Sequence, residues 1–425
     1  MTTTKNNEHN KLNFSSEREQ SQACLNSAEH EKNQGRKVLN VPNLRFKEFQ
    51  GEWEKTKFGD IATGFDYGMN AAAKNYDGVN KYIRITDIDE ASSTYTDKDI
   101  VSPDGVLTDN YLVNNRDILL ARTGASTGKS YLYKKSDGKL YYAGFLIRAN
   151  VTTHDPYFVF SQLHTHRYWR WVSIMSARSG QPGINSQEYS SFPIYTTSIE
   201  EESKIAKLLS LLDERIATQN KIIEDLKKLK SAIIEIEYTP NTKTTSHIGN
   251  VIEQISKRNK NNAIQNVLSV SNRQGFIKQS DQFENRNVAS EDTSNYKIVE
   301  KNDFAFNPAR IKVGSIARLT TFEKGIVSPM YICFRTQENV APEYIDFFFE
   351  SKHFYCEIQK RLEGSVRQCL SFEGLCNIPF SLPSLEMQQR IGKRLFILGQ
   401  KIKTETDLLE LLNKQKQYLL RQMFI

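Results

Sequence analysis

The spacing of apolar residues predicts two long helices with matching seams. In two segments of the chain, apolar residues recur at steps of four and three, which places them on one face of an α-helix. In order along the chain they are Ile205, Leu209, Leu212, Ile216, Ile223, Leu226 and Ile233, then Ile391, Leu395, Leu398, Ile402, Leu409, Leu412 and Leu419. Polar residues interrupt both seams at corresponding places, at Gln219 and Glu405 and again at Lys230 and Lys416.

The first of these helices is expected to begin at Ser198. Ser198 and Glu201 have the spacing of a capping box, in which each side chain bonds the backbone N–H of the other residue. The periodicity continues to about Ile236. At 1.5 Å per residue, the helix would be roughly 55 Å long.

The two lysines indicate how the helices pack against each other. A parallel pair in register would bring Lys230 against Lys416, and these charges repel. An antiparallel pair centred on Gln219 and Glu405 instead places each lysine beside the apolar start of the other helix, where its stem packs and its ammonium reaches water. We therefore expect an antiparallel coiled coil with pseudo-two-fold symmetry. The alternative is that each helix packs on its own domain or on a partner protein.

The chain is an internal repeat with an offset of 186 residues, the separation of Tyr82 from Leu268. The same offset relates Asp117 to Asp303, Gly128 to Gly314, Pro156 to Pro342, and Pro193 to Pro379. Each copy begins with strands of alternating polarity near Tyr82 or Leu268, and a later strand covers Phe145 to Val151 or Tyr331 to Phe334. A helix rich in aromatic residues follows Pro156 or Pro342. We attribute most of these aromatics to core packing.

These patterns predict an α+β chain with two globular domains, related by the internal repeat and separated by the two long helices. The expected segments are a disordered polar tail at 1–40, a first domain at 41–197, a first helix at 198–238, a second domain at 239–383 and a second helix at 384–425.

Composition narrows the compartment and the class of partner. A formal net charge of +7 and a pI near 8.9 suit a polyanionic partner. No apolar run is long enough to cross a membrane, and the polar N-terminus lacks the features of a signal peptide. The chain has an odd number of cysteines, which favours a cytoplasmic protein with reduced thiols. They are Cys24, Cys333, Cys356, Cys369 and Cys376.

Three segments approach catalytic or metal motifs without completing them. Arg122–Ser130 resembles a phosphate-binding P-loop, but Thr123 stands where the leading glycine belongs and a strand-like segment follows. Asn307-Pro-Ala-Arg310 lacks the second proline and the aromatic residue of adenine methyltransferase loops. His353 with Cys356, Cys369 and Cys376 has spacing too wide for a zinc knuckle and no counterpart in the first copy. We expect no metal site and no catalytic residues in this chain.

Polar and basic residues recur in turns at matched places of both copies. The candidates for DNA contact are Arg122, Thr123, Ser126, Lys129, Arg178 and Gln181, followed by Asn307, Arg310, Lys312, Ser315, Arg367 and Gln368. Such side chains neutralise phosphates and form paired hydrogen bonds with base edges. Each could equally be an ordinary solvated turn residue, so the hypothesis depends on their recurrence in both copies.

Several motifs together resemble the specificity subunit of type I restriction-modification systems, over about residues 41 to 425. They are Val41-Pro-Asn-Leu-Arg-Phe-Lys-Glu-Phe49 with Gly51-Glu-Trp53, Asp117-Ile-Leu with Arg122, Gly124 and Gly128-Lys129, Asn302-Asp303-Phe with Asn307-Pro308, Arg310 and Val313-Gly-Ser-Ile316, and Gln388-Gln-Arg-Ile391. Two features depart from the family pattern. The tail before Val41 is longer, and the turn after Arg122 carries one additional residue.

The resemblance implies a DNA-binding protein without catalytic activity of its own. The two globular units would be target recognition domains, each reading one half of a gapped double-stranded DNA target. The helices would set the gap and bind two methyltransferase subunits, which motor-nuclease subunits join. S-adenosylmethionine, ATP and magnesium would bind those partner subunits. The alternatives are a coiled-coil scaffold that binds proteins without reading DNA, and a self-contained DNA-modifying enzyme.

Overall fold

The computed structural model describes residues 39–177, 182–239, 246–272, 274–282, 292–364 and 368–425. The chain forms two compact units. One unit reaches to Leu209 and includes Tyr418–Ile425, and the other is Ser210–Gln417. The segment boundaries expected from the sequence stay predictions, and of the predicted disordered tail only residues 39 and 40 are described.

The elements are numbered along the chain. The strands are β1 Glu54–Lys57, β2 Ala62–Tyr67, β3 Ala72–Asn75, β4 Lys81–Ile83, β5 Val101–Asp104, β6 Asp117–Ala121, β7 Ser130–Leu132, β8 Leu140–Tyr142, β9 Leu146–Val151, β10 Pro193–Thr196, β11 Ile252–Ile255, β12 Val267–Ser271, β13 Gly275–Lys278, β14 Lys297–Glu300, β15 Phe304–Phe306, β16 Ile316–Arg318, β17 Lys324–Val327 and β18 Ile332–Thr336. The α-helices are α1 Phe58–Ile61, α2 Pro156–Gln162, α3 His166–Ser176, α4 Ser186–Ser190, α5 Ile199–Tyr238, α6 Gln279–Gln282, α7 Pro342–Phe348, α8 Lys352–Lys360, α9 Phe372–Cys376 and α10 Leu385–Gln422.

Each copy of the repeat contains an antiparallel four-stranded sheet of the same order. The order is β2-β9-β6-β7 in the first copy and β11-β18-β15-β16 in the second. The register agrees as well. Ile118 pairs with Leu132 in the first copy, and the residues 186 positions later, Phe304 and Arg318, pair with each other in the second. Two parallel pairs also correspond, Tyr82 with Tyr141 and Leu268 with Val327. The two copies therefore share the order and the pairing of their strands as well as their sequence landmarks.

The helices repeat with the same offset. Both α2 and α7 are seven residues long and begin with proline. The next helix in each copy is capped by a hydroxyl, since Thr165 accepts from the N–H of Tyr168 and Ser351 accepts from that of Phe354. The same backbone N–H, three residues after the capping hydroxyl, is therefore satisfied in both copies.

A buried aspartate at the start of the central strand is shared by the two copies. Asp117 is 1% exposed and Asp303 is 3% exposed, and each accepts a hydrogen bond from the backbone three residues earlier. Asp117 also accepts from Asn150 Nδ2 at 2.7 Å, whereas Asp303 accepts from Arg335 Nε at 3.0 Å. Burial raises the pKa of both carboxyl groups. The residue before each aspartate has a positive φ, 71° at Arg116 and 72° at Asn302.

Most aromatic residues of the predicted aromatic helices lie in the core, as their composition indicated. Phe158 and Tyr168 are buried in the first unit, and Tyr344 and Phe348 are buried in the second. Trp169 and Tyr355 are exceptions, at 42% and 55% exposure. In the second unit these rings pack beside the stacked pair Phe304 and Phe334, whose centroids are 5.1 Å apart. The sheet and the first helices of each unit therefore enclose an aromatic core.

The motif Val41–Trp53 near the N-terminus packs within the first unit. Trp53 is 1% exposed and lies edge-on to Phe158 and to Phe424, at centroid distances of 5.4 and 6.1 Å. Arg45 makes a two-pronged contact with the buried carboxylate of Glu201, with both distances at 2.7 Å. The motif therefore joins the first copy of the repeated domain, the start of α5 and the last residues of the chain.

The start of α5 differs in detail from the expected capping box. The N–H of Glu201 donates to Ser198 Oγ at 3.4 Å, which forms one half of the box. The Glu201 carboxylate does not complete it, because Arg45 and Thr197 occupy its oxygens. Glu202 instead accepts from the N–H of Thr197 at 3.1 Å. The helix runs to Tyr238, whereas the periodicity of the seam could be followed only to about Ile236.

The two long helices pack antiparallel within the second unit, which confirms the predicted orientation. Gln219 Nε2 donates to the backbone oxygen of Glu405 at 3.0 Å, and Lys416 Nζ lies 2.6 Å from Asp213 Oδ1. From the second contact to the first, the residue number rises in α5 from 213 to 219 and falls in α10 from 416 to 405, so the two helices run in opposite directions. Gln219 and Glu405 are 186 residues apart, so equivalent positions of the two copies touch each other, as they would at a local two-fold axis.

The two lysines have carboxylate partners, whereas the sequence suggested ammonium groups reaching only water. Lys230 Nζ lies 2.6 Å from a carboxylate oxygen of Glu350 and 5.2 Å from the Phe347 ring centroid. Lys416 pairs with Asp213. Both lysines are mostly buried, at 21% and 18% exposure. A partner 120 residues away, such as Glu350, has no local signature in the sequence.

The expected absence of a membrane span and of a metal site can be compared with the part of the chain that the structure describes. There, no helix combines the length and the hydropathy needed to span a membrane. In the same residues, no group of three or more His, Cys, Asp or Glu side chains is arranged to hold a metal ion. His353, one of the residues considered for zinc, bonds through Nε2 to the backbone oxygen of Pro379 at 2.9 Å.

Candidate nucleic-acid interface

The first candidate turn follows the central strand β6 and carries Arg122, Thr123, Ser126 and Lys129. A 3₁₀ turn at Gly124–Ser126 leads directly into strand β7. A P-loop would open a helix here, so the phosphate-loop interpretation is not supported. Gly124 and Gly128 have φ values of 72° and 93°, which only glycine adopts easily. The conformation of this turn therefore depends on glycine at both positions.

Arg122 is held at the surface by an aromatic ring. Its guanidinium lies 4.6 Å from the centroid of the Tyr67 ring, and that ring is 42% exposed. The cation–π contact and a hydrogen bond of 3.4 Å from Nη1 to the backbone oxygen of Gly144 together limit the rotamers of Arg122. Ser126 and Thr123 are half-buried beside it. Lys129 is 19% exposed and lies 3.5 Å from the exposed carboxylate of Glu90.

The second candidate turn follows β15 and separates supporting residues from exposed ones. Asn307 is 6% exposed and accepts from the N–H of Ala309 at 3.1 Å, so it caps the 3₁₀ helix Pro308–Val313. Ser315 is 3% exposed and donates to the backbone oxygen of Val270 at 3.2 Å. These two positions therefore shape the turn from beneath it. Arg310 and Lys312 are exposed.

In each copy the turn is joined to the segment after the second helix of its domain. The N–H of Ile184 donates to the oxygen of Arg122 at 2.9 Å, and the N–H of Leu370 donates to that of Pro308 at 3.1 Å. These two bonds correspond under the repeat. Lys312 Nζ also contacts Gln368 Oε1. Two polar segments that were predicted separately are thus one continuous surface in the second unit.

Some candidates cannot be placed. Arg178, Gln181 and Arg367 lie outside the described residues. Their assignment as DNA contacts stays a prediction, as do those of Arg122, Thr123, Ser126, Lys129, Arg310, Lys312 and Gln368.

Two exposed apolar side chains beside the turns were missed by the sequence analysis. Phe145 is 62% exposed, and its backbone oxygen accepts from the N–H of Arg122 at 3.1 Å. Met330 is 51% exposed and precedes β18, the strand paired with β15. Alternating polarity assigned Phe145 to a strand, but β9 begins at Leu146. The preceding Gly144 is the local signal that would have placed Phe145 in a turn.

The residues of the predicted helix seam are buried or partly buried along its length. Ile205, Leu209, Gln219, Ile223, Ile391, Leu395 and Glu405 are buried, and Leu212, Ile216, Leu226, Leu398, Ile402, Leu409 and Leu412 are partly buried.

A second apolar stripe on α5 is left exposed. Leu211, Ile222, Leu229 and Ile236 are 47%, 38%, 50% and 78% exposed. Their spacings of 11, 7 and 7 residues keep them within about 20° of one line along the helix. We call these four residues the outer stripe.

A duplicated α+β domain, joined to antiparallel long helices and carrying basic turns at matched places, defines a class of two-domain recognition proteins. Residues 50–228 and 234–414 each match the family model described as the type I restriction modification DNA specificity domain. The chain belongs to this family and carries its domain twice.

Known relatives resemble the chain along almost its full length. The type I restriction enzyme MjaVIII specificity subunit of Methanocaldococcus jannaschii is 24% identical over 414 residues, which cover 88% of this chain and 92% of that protein. A crystal structure of the type I restriction-modification S subunit from M. genitalium superposes with a TM-score of 0.59 at 15% identity. The superposition covers 91% of this chain and 99% of the M. genitalium chain. At such identity, the structural likeness supports the fold alone.

Proposed function

We propose that this chain reads a bipartite, gapped DNA target as the specificity subunit of a type I restriction-modification complex. Each recognition domain reads one half-site, and the long helices set the gap and bind the methyltransferase subunits. The observation that carries the proposal is the repeat itself. The same turn follows the central strand in both domains, yet it presents Arg122 and Lys129 in one and Arg310 and Lys312 in the other.

This difference between two matched turns is what two different half-sites require. Arginine can bond two acceptors on a guanine edge, and lysine neutralises phosphates. Phe145 and Met330 add an apolar contact beside each turn, of the kind that packs against a thymine methyl group or wedges between base steps. Catalysis would belong to partner subunits, which would bind S-adenosylmethionine, ATP and magnesium.

Binding of the assembled complex to DNA tests the proposal. The complex with its methyltransferase subunits should bind a duplex that contains both half-sites, and the logarithm of the affinity should fall linearly with that of the salt concentration. Equal affinity for the target and for scrambled duplexes at every salt concentration would contradict DNA reading. It would favour a scaffold that binds only proteins.

Arg310→Ala should weaken recognition of one half-site. Loss of a direct base contact is worth about 1–3 kcal/mol, or roughly 5- to 150-fold in affinity, with relaxed preference at one position of that half-site. Loss of a phosphate contact would instead lower the salt slope by about one. Competition binding against a duplex library measures both.

Lys301→Ala is the matched control. Lys301 is 51% exposed and lies before β15, whereas Arg310 lies in the turn after this strand. The control should leave affinity and preference unchanged. If both variants lose affinity equally, the turn is not the reading surface.

Leu229→Glu should impair binding of the methyltransferase subunits. The outer stripe exposes apolar side chains along α5, and a carboxylate at its middle would have to be desolvated in an interface. We expect at least a tenfold loss in co-purification or in titration of the methyltransferase subunit. Ser231→Glu places the same charge two residues on, at an exposed position on roughly the opposite side of the helix, and should bind normally. Equal behaviour of the two variants would exclude the outer stripe.

A further inference from the structure

We propose that the hydrogen-bonded pair of Gln219 and Glu405 is a register lock that restricts the two helices to one alignment and the DNA target to one gap length. The inference rests on the proposed function, in which the helices set the gap. Gln219 and Glu405 would act as positioning residues, without contacting DNA.

The pair is buried in the middle of an apolar seam and its polar groups are matched to each other. Gln219 is 1% exposed and Glu405 is 9% exposed. Gln219 Nε2 donates both to the backbone oxygen of Glu405, at 3.0 Å, and to its carboxylate. Lys401 Nζ lies 2.5 Å from the other carboxylate oxygen. Hydrogen bonds from Lys401 and Gln219 hold the pKa of Glu405 below its ordinary value, so the acceptor is ionised at neutral pH.

The apolar residues of the repeating seam would not by themselves choose between alignments. In α5 the seam repeats every seven residues, at Leu212, Gln219, Leu226 and Ile233. In α10 it repeats in the same way, at Ile391, Leu398, Glu405, Leu412 and Leu419. Sliding one helix past the other by a heptad therefore places apolar residues opposite apolar residues again. Coiled coils with such uniform seams are prone to alternative registers.

The polar pair removes this degeneracy of the seam. It acts together with the helix ends, where Tyr238 of α5 and Leu395 of α10 share a buried cluster. After a slide of one heptad, Gln219 would face Leu398 or Leu412, and Glu405 would face Leu226 or Leu212. The Gln219 amide would then be buried against a leucine without its acceptor, which is strongly unfavourable. The Glu405 carboxylate would lose Gln219 and keep only Lys401 of its own helix. The ion pair of Lys416 with Asp213 would be broken by the same movement. A single buried polar position is the device by which coiled coils specify register.

The slide has a defined consequence for DNA. Seven residues of helix rise by about 10.5 Å, which is close to three base pairs of DNA. Alternative registers would therefore correspond to targets whose gaps differ by about three base pairs. A protein without the lock would read the same two half-sites with more than one gap.

The double variant Gln219→Leu/Glu405→Leu tests the lock. It is assembled with the methyltransferase subunits and assayed on duplexes that keep both half-sites while the gap varies by up to four base pairs. The wild-type complex should prefer one gap by at least 100-fold. The double variant should fold with an equal or higher melting temperature, yet lose at least tenfold of its discrimination against gaps about three base pairs away. A folded double variant with the wild-type preference would overturn the proposal.

Two controls separate a lock from a general effect on the helices. Leu226→Ile changes an apolar seam position and should keep one gap. Glu405→Gln keeps an acceptor for Gln219 and should restore discrimination to within about threefold of the wild type. If Glu405→Gln discriminates no better than the double variant, hydrogen bonding between the side chains is not the cause.

Moving the acceptor gives a decisive second measurement, even if the double variant does not assemble. In Glu405→Leu/Leu412→Glu the carboxylate lies one heptad further along α10, so Gln219 can reach it only in the shifted register. The preferred gap should change by about three base pairs, with both half-sites unchanged. Retention of the original gap would overturn the lock. Wild-type protein that shows no gap preference at all would instead contradict the proposed function.

Discussion

Replacement of residues 245–380 by the corresponding segment of another family member should change one half of the recognised sequence and leave the other half unchanged. The segment contains the β11-β18-β15-β16 sheet and the turn with Arg310 and Lys312. It excludes both long helices, so the gap should also be unchanged. That half-site should change completely, because all the side chains with which one domain would contact DNA are replaced together.

The exchange requires a donor whose core fits the retained helices. Tyr238 of α5 donates to the backbone oxygen of Tyr344 at 2.6 Å and packs against Phe348, and Leu395 of α10 belongs to the same buried cluster. A donor with aromatic residues at positions 344 and 348 meets this condition. Methylation sequencing of DNA exposed to the chimaeric complex gives the result. Alteration of both half-sites would contradict independent reading by the two domains.

Insertion of one heptad into α5 after Leu226 should lengthen the gap by about three base pairs without changing either half-site. Seven residues add about 10.5 Å and return the seam to nearly the same face, so the helix pair stays in phase. The insertion leaves Gln219 and Glu405 in place. Binding to a series of duplexes with different gaps measures the shift.

Insertion of two residues at the same point is the control. Two residues rotate the following part of the helix by about 200° and turn the seam away from its partner. This variant should fail to assemble. A changed half-site with an unchanged gap in the heptad variant would refute the role of the helices as a spacer.

The sequence predicted those features that depend on local periodicity or on the repeat. The seam positions, the helix starts at Pro156 and Pro342, and the antiparallel orientation all follow from the spacing of residues along the chain. The repeat made these expectations stronger. Its offset relates Asp117 to Asp303, and both are buried acceptors at the start of a central strand.

Partners that lie far apart in the chain were not predictable from one sequence. Glu201 was assigned to a capping box because Ser198 is near, but its strongest partner is Arg45, 156 residues earlier. Asn307 and Ser315 illustrate a different difficulty. Polar residues in a turn have the same composition whether they cap the turn or contact a ligand, and only their burial distinguishes the two roles.

The central claim is that this chain directs modification to a gapped, two-part DNA sequence, and mapping of adenine methylation in host DNA tests it most directly. DNA from cells with and without the gene is compared at single-base resolution. The account predicts one bipartite motif with a fixed gap that is methylated only when the gene is present. A methylation pattern that does not depend on the gene, or a gene-dependent motif without a gap, would contradict it.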